Sequence, residues 1–295
     1  MEMQQLYYFS SIYRTKNITR SAEECHISTQ GISVSLHRLE DELGQKLFER
    51  TSKGLVPTRN ADYLFVRAQR ILTSRDECID YFSKNGQPEK ICRISLAQGT
   101  IEEYAGPVLR RYQNAFPAVR LDIHEQADKG CIEDVLTGAT ELAVVGGPVD
   151  RELFDAVELM EAGYALIAPV GTPLAGKERV TLAELRSVPI AILDSGNSTN
   201  STLMELFARE GCEPNIFCIP RYVLALFSLV ENGLCSGVVT ETLARRMASQ
   251  NIAIVPIHHP DYRWQISMIK NRGALLSREG EEMWGLLSAA TGRGA

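Results

Sequence analysis

The sequence predicts an α/β chain that opens with an all-α, winged helix-turn-helix module, runs on through a long helix, and ends in a two-lobed α/β domain. Three observations predict it. Apolar residues before position 58 recur at helical spacing and are interrupted by cap and turn residues. A heptad-spaced stretch follows over 59–83. Beyond residue 90, short apolar runs alternate with helical patterns, the grammar of strands joined by helices. About 205 residues of that kind suit two small lobes around a cleft better than one sheet. The expected domains are 1–58, 59–87 and 88–295, the last split into one lobe of about 90–163 with 268–295 and another of about 164–267.

In the first module, Leu6, Phe9, Ile12 and Tyr13 form one apolar stripe. Lys16-Asn17-Ile18 breaks that helix, and Thr19 is the expected N-cap of a short second helix through Cys25. Ser28 caps a third helix that turns Ile32, Leu36, Leu39 and Leu43 inward, and Gly44 ends it in a left-handed conformation. Two short helices across a tight turn make a helix-turn-helix. Leu47-Phe48 and Leu55-Val56 then flank the polar tip Arg50-Thr51-Ser52-Lys53-Gly54, the pattern of a small β-wing.

Thr58 caps the long helix. Its positions Ala61, Leu64, Ala68, Ile71, Arg75, Cys78 and Phe82 form a seam of period 3.5. Such a stripe needs a partner. The two candidates are its own domain and a second copy of the chain; the break at Asn85-Gly86-Gln87-Pro88 favours the second copy. Strands are expected at 91–97, 119–125, 142–145, 165–169, 190–193, 216–219, 237–239, 252–256 and 265–269. Helices are expected at 106–115, 132–137, 202–209 and 225–232, over mostly parallel sheets.

Composition narrows the function. With 44% apolar and 23% charged residues the chain is ordinary globular protein, which excludes disordered and collagen-like classes. No run approaches the roughly 18 unbroken apolar residues of a membrane span. Met1-Glu2-Met3-Gln4-Gln5 lacks the basic-then-apolar pattern of a signal peptide, so the expected compartment is the cytoplasm and no membrane partner is expected. Seven cysteines without a C-x-x-C pair read as reduced thiols. The net charge of −6 argues against indiscriminate nucleic-acid binding. The first 60 residues nevertheless hold eight Lys/Arg against seven Asp/Glu, a balance that permits DNA binding without demonstrating it.

Nothing points to catalysis. The chain has no G-x-S-x-G, H-E-x-x-H, Walker A or G-x-G-x-x-G pattern. His258-His259 is the one close histidine pair, and strand neighbours point to opposite faces. No catalytic residue, metal or cofactor is expected, and the chain is expected not to be an enzyme.

The helix-turn-helix is more specific. It reads Thr19-Arg20-Ser21-Ala22-Glu23-Glu24-Cys25-His26-Ile27-Ser28-Thr29-Gln30-Gly31-Ile32-Ser33, then Leu39-Glu40, Leu43-Gly44 and Leu47-Phe48-Glu49-Arg50. Farther on come Phe116-Pro117-x-Val119, Leu136-x-Gly138-x-x-Glu141-Leu142-Ala143, Pro173-Leu174, Leu182-Ala183-Glu184-Leu185 and Leu229-Val230-x-x-Gly233-Leu234. In order and spacing these elements resemble the LysR-type transcriptional regulators over nearly the whole chain. The sequence departs from the family pattern at Ser21, Cys25, Asn60, Cys235 and Thr240, and Thr29-Gln30 stands where Gln-Pro is common.

The resemblance implies a sequence-specific regulator of double-stranded DNA. The start of the third helix offers free amides and a positive dipole end to a phosphate, at Ser28 and Thr29. Thr29, Gln30 and Ser33 project from the part that meets base edges, and Gln30 has the fork that pairs with adenine. Val34, His37 and Arg38 continue that face, while Arg50 and Lys53 on the wing take backbone phosphates. For Gln30 and Lys53 the competing reading is a merely solvated side chain, and for Arg50 it is a brace for the wing.

The resemblance further implies a C-terminal domain with the fold of periplasmic solute-binding proteins, holding a small polar or anionic effector between its lobes. Carried over position by position, the implied effector residues are Thr100, Asp128, Asn197, Ser198 and Thr199. Asp128 replaces a small hydroxyl residue; it either caps its helix or selects a ligand bearing an amine or hydroxyl. Self-association as dimers and tetramers is also implied. A solute-carrier or enzyme use of the two lobes is the rival reading, and the missing nucleophile–base motif argues against it.

Overall fold

The first module is punctuated by caps. In the computed structural model, which describes residues 1–51, 54–83, 89–259 and 263–289 without the side chains of Arg50, Glu77 and Asp80, α1 (Met3–Thr15) ends on Lys16 in the left-handed region, φ 53°. The next helix, α2 (Ile18–Glu24), starts earlier than expected. Asn17 rather than Thr19 caps it, its side-chain oxygen accepting from the Arg20 amide at 3.1 Å. Once Lys16 has turned the chain, Asn17 is the first residue able to reach a free amide, and Thr19 falls inside the helix.

Helix α3 (Thr29–Leu43) begins on Ser28, whose hydroxyl accepts from the Gly31 amide at 3.0 Å. It stops at Gly44, φ 63°, where a side chain would be strained. The wing follows as β1 (Phe48–Thr51) against β2 (Gly54–Pro57), antiparallel, with Arg50 opposite Leu55.

Helix α4 (Arg59–Ser83) is capped by Thr58, whose hydroxyl accepts from the Ala61 amide at 3.2 Å. Its seam divides in two. Ala61, Leu64 and Ala68 are buried with Leu6, Phe9, Ile12, Ile32 and Leu39 in the core of the chain's own module. Tyr13 of α1 stacks on Phe65, ring centroids 4.0 Å apart. The first half of the seam is therefore spent within the module and corrects the expectation that all of it faces a second copy. Only the later positions stay open: Ile71, Cys78, Ile79 and Phe82 are exposed, and Arg75 pairs with its neighbour Asp76 at 3.1 Å.

The first unit is Met1–Glu89 with Leu136–Ala139, and the second unit is built on Lys90–Val135 and Thr140–Ala295. Its elements run β3 (Ile91–Ala97), a π-helical turn (Ile101–Ala105) leading into α5 (Gly106–Ala115), β4 (Arg120–Gln126), α6 (Asp128–Thr137), β5 (Leu142–Gly146) and β6 (Phe154–Pro169). Then come α7 (Leu182–Leu185), β7 (Ile190–Ala191), α8 (Ser198–Arg209), β8 (Ile216–Cys218), α9 (Val223–Glu231), β9 (Ser236–Thr240), α10 (Glu241–Met247), β10 (Ile252–Pro256), β11 (Arg263–Asn271) and α11 (Arg278–Ala289). The strand order is β4-β3-β5-β11-β6-β9-β7-β8, with β10 also on β6.

The sheet is mixed rather than mostly parallel. β3 pairs in parallel with β4 and β5, and β7 with β8 and β9, but every pairing of β6 and β11 is antiparallel. These two long strands carry the chain out of one lobe and back. From Phe154 to Gly163, β6 lies on β11; from Tyr164 to Pro169 it lies on β9 and β10. The parallel strands of each lobe end facing this crossover, which is where an open α/β sheet places a ligand.

Candidate nucleic-acid interface and interlobe site

Helix α3 has two faces of opposite character. Ile32 and Leu39 are fully buried, and Leu36 packs partly against the same core. On the other side Ser28, Thr29, Gln30, Val34, His37 and Arg38 are exposed, and Ser33 is half-buried at the edge. Their spacing of three and four residues puts them along one side of the helix. An exposed valine among hydroxyl, amide, imidazole and guanidinium groups suits a groove that offers both hydrogen-bonding edges and thymine methyls. Arg50 lies on β1 of the wing with its side chain outside the description, and Lys53 lies outside the described residues.

One internal carboxylate ties α3 to the wing. Glu40 is buried and accepts from the Leu47 amide at 2.8 Å, the Phe48 amide at 3.4 Å and the Lys46 ammonium at 2.6 Å. Burial pushes its carboxyl up, but Lys46 and the two amides outweigh that and hold it below the ordinary glutamate range. The sequence signals Glu40 only through the Leu39-Glu40 pair.

The interlobe residues form a different kind of site. Thr100, Asp128, Asn197, Ser198 and Thr199 are all buried. Asn197 caps α8, its Oδ1 accepting from the Thr199 amide at 2.9 Å; Ser198 and Thr199 are the first residues of that helix, which starts before the expected Thr202. The Thr100 hydroxyl donates to the Ala97 carbonyl at 2.6 Å, and the Thr199 hydroxyl bonds the buried Tyr164.

Asp128 is not a cap set ahead of its helix: it is the first residue of α6, and its carboxylate reaches outside that helix. Its Oδ1 accepts from the Gly146 amide at the end of β5, 2.6 Å, and its Oδ2 from the Ser198 amide at the start of α8, 2.7 Å. The Ser198 hydroxyl also supports the carboxylate and accepts from the Trp264 indole N–H at 3.1 Å. Burial raises the Asp128 carboxyl, and the two amides and the hydroxyl pull against it. Gly146 is required by this close approach, since a Cβ there would lie 2.0 Å from the Trp264 nitrogen. The loops also meet through the Lys129 amide, which donates to the Gly196 carbonyl at 3.1 Å.

A second buried carboxylate lies nearby. Glu103, on the π-helical turn, accepts from the Thr240 hydroxyl at the start of α10, and its other oxygen has no partner. Burial pushes its carboxyl up to about 7, against the pull of Thr240 and Arg246. Outside, a cleft of about 240 Å³ opens between Gln98, Glu102 and Glu125 on one lobe and Tyr222, Leu224 and Met247 on the other. Sequence reasoning missed Glu103, Gly146 and Trp264, because their partners lie far away along the chain.

The described residues contain no cluster of His, Cys, Asp and Glu able to hold a metal, and no described helix is long and apolar enough to cross a membrane. All seven cysteines are free; burial pushes the Cys92 and Cys235 thiols up to about 11.

Comparison with known proteins agrees with this geometry. The family model of the LysR substrate binding domain matches residues 85–292, and that of the bacterial regulatory helix-turn-helix protein, lysR family, matches residues 3–62. The RuBisCO operon transcriptional regulator of Allochromatium vinosum is 25% identical over 281 residues, covering 94% of this chain and 92% of that protein. Among solved structures, CbnR, a LysR family transcriptional regulator, superposes with a TM-score of 0.63 at 19% identity over 99% of both chains. Full-length CbnR complexed with its target DNA gives a TM-score of 0.57 at 20% identity, covering 99% of this chain and 100% of that one. The chain belongs to the LysR family of DNA-binding transcriptional regulators, with that family's helix-turn-helix domain ahead of its substrate-binding domain.

Proposed function

We propose that this regulator reads its operator with the exposed face of α3 in the major groove. Thr29, Gln30 and Ser33 meet base edges, with Val34 and His37 continuing the contact. Ser28, Arg38, Arg50 and Lys53 hold backbone phosphates. The observation that carries this reading is the capped helix whose one side is core and whose other side is polar and open. It acts by binding, not by catalysis, in the cytoplasm where promoter DNA lies.

The test is a gel shift with the DNA upstream of its own gene at graded salt. Specific binding with a steep salt slope supports the reading; no binding at any salt sinks it. Gln30→Ala relaxes preference at one base pair by about 1–3 kcal/mol, and an unchanged preference removes Gln30 from the reading face.

The chain pairs through the distal half of α4, where Ile71, Ile79 and Phe82 present an apolar stripe to solvent. Ile79→Glu with Phe82→Glu yields monomers in sedimentation, and dimers that persist refute the assignment. A small effector between the lobes, around Thr100, Asp128, Asn197, Ser198 and Thr199, shifts how the paired modules engage DNA through unequal affinity for two lobe arrangements.

A further inference from the structure

An acidic group is the natural occupant of a helix start, where free amides and the dipole favour negative charge. At the start of α8 that occupant is already present and belongs to the chain. Asp128 comes from the lobe that carries β4, yet it takes the Ser198 amide of the other lobe at 2.7 Å and the Gly146 amide of its own at 2.6 Å. Both oxygens are thereby used. The residue is 5% exposed, and Trp264 and Gly146 close the remaining space.

We infer that Asp128 is a built-in ligand: its carboxylate fills the position at the start of α8 that an acidic effector would take, bridges the lobes without effector, and excludes a carboxylate from that position. The inference rests on the reading of these interlobe residues as the effector site. It makes Asp128 the residue that determines ligand class. An effector of the wild-type protein is recognised through groups other than an acid at α8, and a small residue at position 128 frees the start of α8 for an acid.

The experiment uses the full chain in a Trp284→Phe background, so that emission reports Trp264 alone. Wild type, Asp128→Ala and Asp128→Asn are titrated with sodium formate and acetate against sodium chloride at matched ionic strength, with melting temperature and emission as readouts. Formate carries the same pair of oxygens. Asp128→Ala is expected to melt several degrees below wild type and to recover most of that loss, saturably, at about 100 mM formate. Its Trp264 emission returns toward the wild-type position over the same range. Wild type gains nothing over chloride. Asp128→Asn fills the volume but turns a donor toward one amide, so it melts low and formate does not restore it.

The inference is overturned if formate stabilises wild type and Asp128→Ala alike, or if Asp128→Ala melts at the wild-type temperature and ignores formate. Should Asp128→Ala fail to fold, Asp128→Thr refolded with and without formate decides: a formate-dependent yield supports the inference and an indifferent one overturns it. No DNA enters these measurements. In a separate gel shift, formate that binds Asp128→Ala while leaving its operator affinity unmoved upholds the built-in ligand and instead removes these residues from regulation.

Discussion

Helices α3 and α8 begin alike and end up opposite. Each opens on a short polar cap, Ser28 in one and Asn197 in the other, followed by a first turn rich in hydroxyl and amide side chains. At α3 those side chains are exposed; at α8 they are buried, with the Ser198 amide on Asp128 and the Thr199 amide on Asn197. A polar first turn is therefore not a docking surface in itself. What decides is whether the anion it attracts comes from outside or from the same chain. The open start suits a phosphate polymer; the closed one is a joint between lobes.

The largest effect expected from this comparison lies in the closed region and depends on pH. The Glu103 carboxyl stands at about 7 in the folded chain, raised by burial and by neighbouring Glu102 against Thr240 and Arg246. Below the ordinary glutamate value of about 4.5 both folded and unfolded chains hold the proton, and its contribution is complete. Between that value and 7 the unfolded chain releases the proton first, so stability falls as pH rises, by about 3 kcal/mol in all. Glu103→Gln removes this dependence. The wild-type curve should drop relative to the variant from pH 5 to pH 8 in chemical denaturation; parallel curves would mean that the joint tolerates an ionised Glu103.

In the open module the corresponding internal group is Glu40, and its sign is reversed. Its carboxyl is held low by Lys46 and the amides of Leu47 and Phe48, so its stabilisation is present above the ordinary glutamate value and fades in acid. Glu40→Ala strands two amides and should cost about 2 kcal/mol at neutral pH. Lys46 is largely exposed, so most of that loss comes from the amides rather than the ion pair. Denaturation of the variant and of wild type from pH 7 down to pH 2 checks it. A loss that is undiminished at the acid end would show that the carboxylate charge is not what holds the wing.

Local chemistry was readable from sequence and distant pairing was not. Ser28, Gly44 and Thr58 stand where their cap roles put them, because a cap depends on residues within one turn. Even locally, Asn17 and Thr19 are both good caps, and only the left-handed turn at Lys16 chooses between them. The first half of β6 was invisible: residues 154–163 place Asp155, Glu158 and Glu161 on a half-exposed strand and give no continuous apolar run. The α4 seam was legible as a seam, but its spacing could not say that Ala61, Leu64 and Ala68 pack beneath α1. Asp128 stands out in the sequence, but its pairing is not legible there, since its partners lie 18 and 70 residues away.

The smallest effect is the one that tests most directly whether the start of α3 is open. The Ser28 hydroxyl accepts from the Gly31 amide at 3.0 Å. Ser28→Ala removes that cap and should cost about 1 kcal/mol of stability. A weakened DNA complex would then be ambiguous between a frayed helix and a lost contact. Ser28→Asp separates the two. Aspartate caps as well as serine, so stability should hold, but it brings a negative charge to the place where a phosphate would sit. Affinity for DNA should fall, most at low salt where the repulsion is least screened. At α8 the protein has already made this substitution in space, by sending Asp128 across the lobes. If Ser28→Asp bound DNA as tightly as wild type at low salt, the start of α3 would not face a phosphate, and the two helices would differ in exposure alone.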